Sequence, residues 1–237
     1  MKSAPRSRRD AGVDLADDDL DRVDEADLAP HHDQAGADVD DDRAMPRLYR
    51  RVQLGWMYVI GGIIGFLAAG ELVLEEVALL RDPNHVTSCD INPLISCGTV
   101  MKSEQAHLFG FPNPFIGIVA FGIIITVGAS LLAGARFARW YWLTLNVGIG
   151  LGFVFCVWLW SQAVYDIGAL CIYCMIVWAV MIVLFVHTTV RNISHGVIPA
   201  SPKVAAIAQD AAWPVAVLLA IGVVVSIFLR FAGLFIR

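Results

Sequence analysis

Charge is what this sequence has least of. Asp, Glu, Lys and Arg make up 16% of the 237 residues, against 57% hydrophobic residues and a mean hydropathy of +0.65. That balance excludes an ordinary soluble domain, in which about a quarter of the residues are charged. The charge that is present is unevenly spread. Residues 1–46 hold 14 of the 22 acidic and 6 of the 17 basic residues, so this stretch carries −8 and the rest of the chain +3. The overall −5 therefore describes the tail, and neither part suggests a nucleic-acid surface or an acidic partner. The tail also lacks aromatics and has few large apolar residues. It cannot bury enough surface to offset its ordering entropy, so residues 1–46 read as a disordered acidic tail. No apolar core follows its first basic residues, which excludes a signal peptide.

What fills the remainder is apolar sequence in five stretches, at 55–80, 114–134, 140–165, 171–190 and 213–236. Each is long enough to cross a bilayer, which takes about 20 helical residues. The expected fold class is an all-α integral membrane protein with five transmembrane helices. Glu71, Glu75 and Glu76 sit in the last third of the first stretch, where they can reach the headgroups. Gly61 with Gly65, and Gly148 with Gly152, have the spacing that lets helices pack closely. Arg47, Arg50, Arg51, Arg136, Arg139, Arg191 and Lys203 all flank one end of the bundle, and Arg81 and Lys102 are the basic residues in the opposite loops. By the positive-inside rule the N-terminus is cytoplasmic, the C-terminus is external, and loops 81–113 and 166–170 are external.

Cysteine is scarce as well, with five residues in all. Four of them form two pairs that this orientation brings to the same face. Cys89 and Cys97 lie in "CDINPLISC" in the long outer loop, and Cys171 and Cys174 lie in "CIYC" at the outer end of the fourth span. Cys156, alone in "GFVFCVWLW", reads as a small buried hydrophobe. On a helix Cys171 and Cys174 share one face, and a helix N-terminus stabilises a thiolate and makes it reactive.

Three chemistries compete for the pairs. Stapling suits Cys89 and Cys97 in an external loop, but a bond inside "CIYC" closes too small a loop to constrain anything. A four-thiolate zinc site needs an unusual C-x7-C arm and permanently reduced thiols in an oxidising compartment. A redox relay explains why there are two pairs: thiolates pass electrons by attacking neighbouring disulfides. The outer pair can meet a soluble partner, and the inner pair can meet a lipid-soluble two-electron acceptor such as a quinone.

The loop pair "CDINPLISC", Ser103, "NPFIG" opening the second span and "CIYC" opening the fourth together resemble the vitamin K epoxide reductase family, in particular its bacterial thiol-oxidising members. The resemblance covers about residues 55–190. The other family of membrane thiol oxidases has its C-x-x-C in the first outer loop, the opposite order. The resemblance implies a four-helix catalytic domain over 47–190 that encloses a quinone and is capped by the outer loop, followed by a cytoplasmic loop and fifth helix over 191–237. It implies that Cys174 is the thiol nearest the quinone, that Cys171 pairs with it and exchanges with Cys97, and that Cys89 takes electrons from the partner. Asp90 matches an acidic position beside the shuttle cysteine, and its plain alternative is a solvated loop carboxylate. Asn113 matches an amide that hydrogen-bonds a quinone carbonyl; a turn residue before Pro114 is the other reading. Ser103 matches a loop hydroxyl near the quinone, and Trp178, one turn beyond Cys174, offers a ring for stacking or plain packing.

The expected activity is oxidation of a separate secreted thioredoxin-like protein, with a menaquinone or ubiquinone type of quinone as acceptor and no metal, in a bacterial cell membrane. Many bacterial relatives carry a fused thioredoxin-like domain after the fifth span, and here the sequence stops at Arg237. Epoxide reduction, or a non-enzymatic membrane protein with structural disulfides, are the alternatives. A short amphipathic helix is expected within "GTVMKSEQAHLFGF", capping the quinone site.

Overall fold

In the computed structural model the described residues are 49–235. They belong to the second of two units, Met45–Arg237. The acidic tail lies outside the described residues. Helix α1, Arg51–Arg81, ends where Asp82 turns extended (φ −136°, ψ 103°), the conformation imposed on a residue that precedes a proline. The loop that follows α1 contains α2, Cys97–Met101, and a 3-10 turn, Glu104–His107. These two short pieces stand where the capping amphipathic helix is expected. Helix α3, Pro114–Leu132, opens on a proline whose missing N–H costs a first turn nothing. Helix α4, Arg139–Ser161, runs on through a π turn, Gln162–Ile167, and stops at Gly168, whose left-handed φ of 72° suits glycine. Helix α5 spans Ile172–Ser194 and α6 spans Pro202–Phe235.

All five long helices are apolar and long enough to cross a membrane, as the five stretches indicate. The largest boundary difference is α6, which begins at Pro202 rather than 213. Its first eleven residues, rich in alanine, continue the helix ahead of the apolar run, and Pro214 is accommodated inside it, as transmembrane helices allow. Helix α1 packs along α3 and α5, α5 also packs on α4, and α6 lies against the outside of α5. The closest backbone approach does not follow the two anticipated glycine pairs. It falls at Gly128 of α3, where a Cβ would stand 2.8 Å from Val59 N and 2.9 Å from Gly55 O of α1. Gly148, by contrast, faces open space.

At one end Arg139 donates to the Val197 carbonyl (2.9 Å from Nη2) and His195 lies 3.4 Å from the Tyr49 carbonyl. The loops bearing Arg136, Arg139 and His195 therefore gather together. The cysteine loop and the start of α5 lie at the other end, stitched by a parallel β-bridge between Ile95 and Leu170. Its bonds run from Ser96 N to Leu170 O (3.0 Å) and from Leu170 N to Leu94 O (2.8 Å).

Candidate active site

The bridge sets the chemistry, because each of its strands leads directly into a cysteine. Ser96 caps α2 by accepting from Thr99 N (3.1 Å), and Cys97 is the first residue of that helix. Leu170 leads into Cys171, which caps α5 with its own sulfur: Cys174 N donates to Cys171 Sγ at 3.4 Å. The short α2 and the long α5 thus begin side by side, each with a cysteine at its start, and Cys97 Sγ lies 3.1 Å from Cys171 Sγ. Cys97 is bonded to Cys89, with Cα atoms 5.6 Å apart, within the usual range for a disulfide. Cys171 and Cys174 are free thiols.

The three sulfurs of Cys89, Cys97 and Cys171 lie within 4.8 Å of one another. Two of them are spent on a disulfide, so the cluster offers one thiol to a bonded pair, the arrangement for exchange. Burial is nearly complete, at 3% exposed for Cys89, 0% for Cys97 and 1% for Cys171. The Cys171 thiol is held below the ordinary cysteine range. Its hydrogen bond with the Cys174 side chain is the largest cause, and the N–H groups of Cys174 and Tyr173 add to it against burial and the nearby charge of Asp90. A lowered pKa leaves more thiolate, the attacking species.

Asp90 is no solvated loop carboxylate. Oδ1 accepts from Ser96 Oγ (2.7 Å) and Gly98 N (3.0 Å), and Oδ2 accepts from Thr87 N (3.0 Å). Burial works to raise its pKa, but the Ser96 hydroxyl and the bonds from Gly98 and Thr87 outweigh it and hold the carboxyl below the ordinary range. The carboxylate braces both arms of the loop around the disulfide. Gly98 is required there, since a Cβ would stand 2.9 Å from Asp90 Oδ2.

Below the sulfurs, toward the bilayer, a cavity of about 500 Å³ runs between α1, α3, α4 and α5. Cys171, Cys174, Asn113 and Trp178 line it, with walls otherwise largely apolar. Exposed Ile123 of α3 and Trp140 of α4 also line it, so it reaches the bundle surface between two helices that scarcely touch. Asn113 is buried; its Nδ2 donates to the Gln105 carbonyl (2.7 Å), which fixes the amide, and its Oδ1 has no partner. Ser103 is placed differently from the other candidates. Its hydroxyl donates to the Val100 carbonyl (2.6 Å), and it lines a smaller space of about 40 Å³ with Cys171, Cys174 and Trp178 rather than the large cavity. Cys156, read from the sequence as a small buried hydrophobe, is half-buried and also lines the large cavity.

Two residues that bear on the site escape the sequence reading. Glu75 and Glu76 do not reach for headgroups; both are buried. Glu75 accepts from Ser88 N (2.8 Å), next to Cys89, and pairs with His85 (3.0 Å). Glu76 pairs with His107 of the 3-10 turn (3.0 Å) and lines the cavity. Consecutive carboxylates inside an apolar span are themselves a sequence signal of function, but their histidine partners are distant in the chain.

Among curated proteins none matches this chain. The model of the Vitamin K epoxide reductase family matches residues 56–189, the stretch that carries α1 to α5 and all four paired cysteines. A multi-pass helical protein whose two cysteine pairs converge at one end of the bundle over an apolar cavity is thereby placed: the chain belongs to the vitamin K epoxide reductase family.

Proposed function

We propose that the protein is a thiol:quinone oxidoreductase that reoxidises an extracytoplasmic thioredoxin-like protein and so supports disulfide formation. The observation that carries this reading is the 3.1 Å separation of Cys97 Sγ from Cys171 Sγ, with Cys174 beside them on the cavity wall. The partner's thiolate attacks Cys89 of the outer disulfide, and the partner's second thiol resolves the mixed disulfide, leaving Cys89 and Cys97 reduced. The Cys97 thiolate then attacks Cys171 of an inner Cys171–Cys174 disulfide and releases Cys174. Cys89 attacks Cys97 in turn, re-forming the outer disulfide and freeing Cys171. Each step breaks one S–S bond and makes one. The outcome is an outer disulfide and an inner dithiol, the pairing seen here.

The inner dithiol then reduces a quinone to quinol and returns to a disulfide. A cavity of about 500 Å³ suits the ring and first isoprenoid units of such a substrate. An opening between α3 and α4 suits a substrate that arrives through the bilayer. Asn113 is held with Oδ1 unpaired, ready to accept from a quinol hydroxyl, while its second N–H is available to a quinone oxygen. Trp178 supplies a ring face on the same wall. Ser103 shapes the cysteine loop instead of meeting the ring. The distribution of arginines supports a cysteine face on the side of the membrane away from the cytoplasm, and the thiol-oxidising reading goes with a bacterial cell membrane.

The test is direct. Protein in lipid nanodiscs, supplied with a reduced thioredoxin-like dithiol, should convert quinone to quinol with one quinol formed per dithiol oxidised. Quinol formation that continued without any dithiol, or in a variant lacking all four paired cysteines, would contradict the proposal.

A further inference from the structure

Reducing a quinone consumes two protons as well as two electrons, and of the two thiols on the cavity wall, Cys171 and Cys174, the one that reacts as a thiolate has given up its proton beforehand. Resting on the quinone reading of that cavity, we propose that Glu76 is a catalytic acid that protonates the bound quinone, and that His107 reloads it from the outer water.

Glu76 is the one carboxyl on the cavity wall among the described residues, and no Lys, Arg, Asp or His joins it there. It is 6% exposed. A carboxyl in so apolar a wall is costly unless something is gained from it. Glu75, its neighbour on α1, makes the contrast. Both oxygens of Glu75 are taken by the loop, through Ser88 N and His85, and it does not line the cavity. One carboxyl bolts the loop down while the other faces the space where the substrate would lie.

The partner of Glu76 joins that space to water. His107 Nε2 is 3.0 Å from Glu76 Oε1, and the histidine side chain is 35% exposed. His107 Nδ1 lies 3.4 Å from the Ser103 carbonyl. A carbonyl oxygen only accepts, so a hydrogen on Nδ1 faces Ser103 and Nε2 faces Glu76 Oε1, where a proton can be shared between imidazole and carboxyl. When that proton goes to the substrate, the imidazole takes up another from outside and restores the link. In the overall step two S–H bonds break and one S–S bond forms at Cys171 and Cys174, and two O–H bonds form on the quinone. One of those hydrogens comes from the Cys174 thiol on the cavity wall; the other passes through Glu76, and the proton that Cys171 released to the outer water replaces it through His107.

The experiment uses full-length protein in lipid nanodiscs, with dithiothreitol as donor and a water-soluble naphthoquinone as acceptor. E76Q keeps a hydrogen-bonding side chain against His107 but has no proton to give. Its kcat should fall about 100-fold with KM changed less than about twofold, while reduction of Cys171 and Cys174 by dithiothreitol, followed without quinone, keeps its wild-type rate. E76D should recover part of the rate, and H107Q should be slow but restored by added imidazole. Wild-type kcat in E76Q would overturn the proposal. So would an equal slowing of thiol exchange, which would make the pair merely a latch for the 3-10 turn. If the wild-type protein itself reduces no naphthoquinone while its thiols still exchange, the quinone reading falls and takes this proposal with it.

Discussion

Replacing Cys174 with alanine should abolish dithiol-driven quinone reduction, lowering kcat at least about 1,000-fold, as removal of a nucleophile does. It should nevertheless leave the protein folded and able to exchange thiols at its outer loop. The separation of effects follows from position. Cys174 lies three residues into the first turn of α5 and on the cavity wall, whereas the outer disulfide and Cys171 are held by the β-bridge and by Asp90. Removing Cys174 deletes one of the two thiols on the cavity wall and also the side-chain hydrogen bond that does most to lower the Cys171 pKa. The Cys171 thiolate should then form at higher pH, so residual exchange between Cys97 and Cys171 becomes slower near neutrality. Quench-flow alkylation of the variant across pH reads both effects. Undiminished quinone reduction in this variant would show that electrons leave by another route.

The second large effect concerns the partner. A reduced thioredoxin-like protein lacking its second cysteine can attack the outer disulfide but cannot release itself. It should accumulate as a mixed disulfide on Cys89, and the adduct should vanish in Cys89→Ala yet persist in Cys171→Ala. Cys89 is buried, but its neighbours Val86, Ser88 and Ile91 are exposed, so this edge of the loop is the one a soluble protein meets first. Access requires the segment to lift. Its restraints are Glu75 to Ser88 N, and Tyr173 Oη to Ser88 Oγ at 3.3 Å. Tyr173 is the residue next to Cys174 within "CIYC", which links the inner motif to the outer arm. Peptide mapping of the adduct identifies the cysteine; a bond to Cys171 would mean that the relay is entered from the inner pair.

Several of these features are written in local sequence. The five apolar runs give the spans because bilayer thickness fixes their length, and "CIYC" at the head of one of them marks a cysteine pair at a helix N-terminus. The family model and the motif resemblance agree on the stretch from α1 to α5. What could not be read there depends on contacts between distant segments. Nothing in "LISC" or "GALC" says that Ile95 and Leu170 pair across 75 positions, yet this pairing sets the Cys97–Cys171 distance. Glu75 and Glu76 read as headgroup-seeking because their histidine partners, His85 and His107, sit 10 and 31 residues away in a loop without periodicity. Asp90 follows Cys89 directly in the sequence, but its three-bond brace depends on the loop folding back on itself. The start of α6 was obscured by composition: alanine, lysine and glutamine ahead of the apolar run favour helix without being hydrophobic enough to mark a span.

Electron passage between Cys97 and Cys171 is the step on which the rest depends, and it can be isolated by removing both flanking cysteines. In the Cys89→Ala/Cys174→Ala double variant, gentle oxidation in the membrane followed by mass mapping should yield one intramolecular disulfide, Cys97–Cys171, in nearly every molecule. Two unpaired thiols, or either cysteine bonded instead to Cys156, would contradict a relay through those two sulfurs.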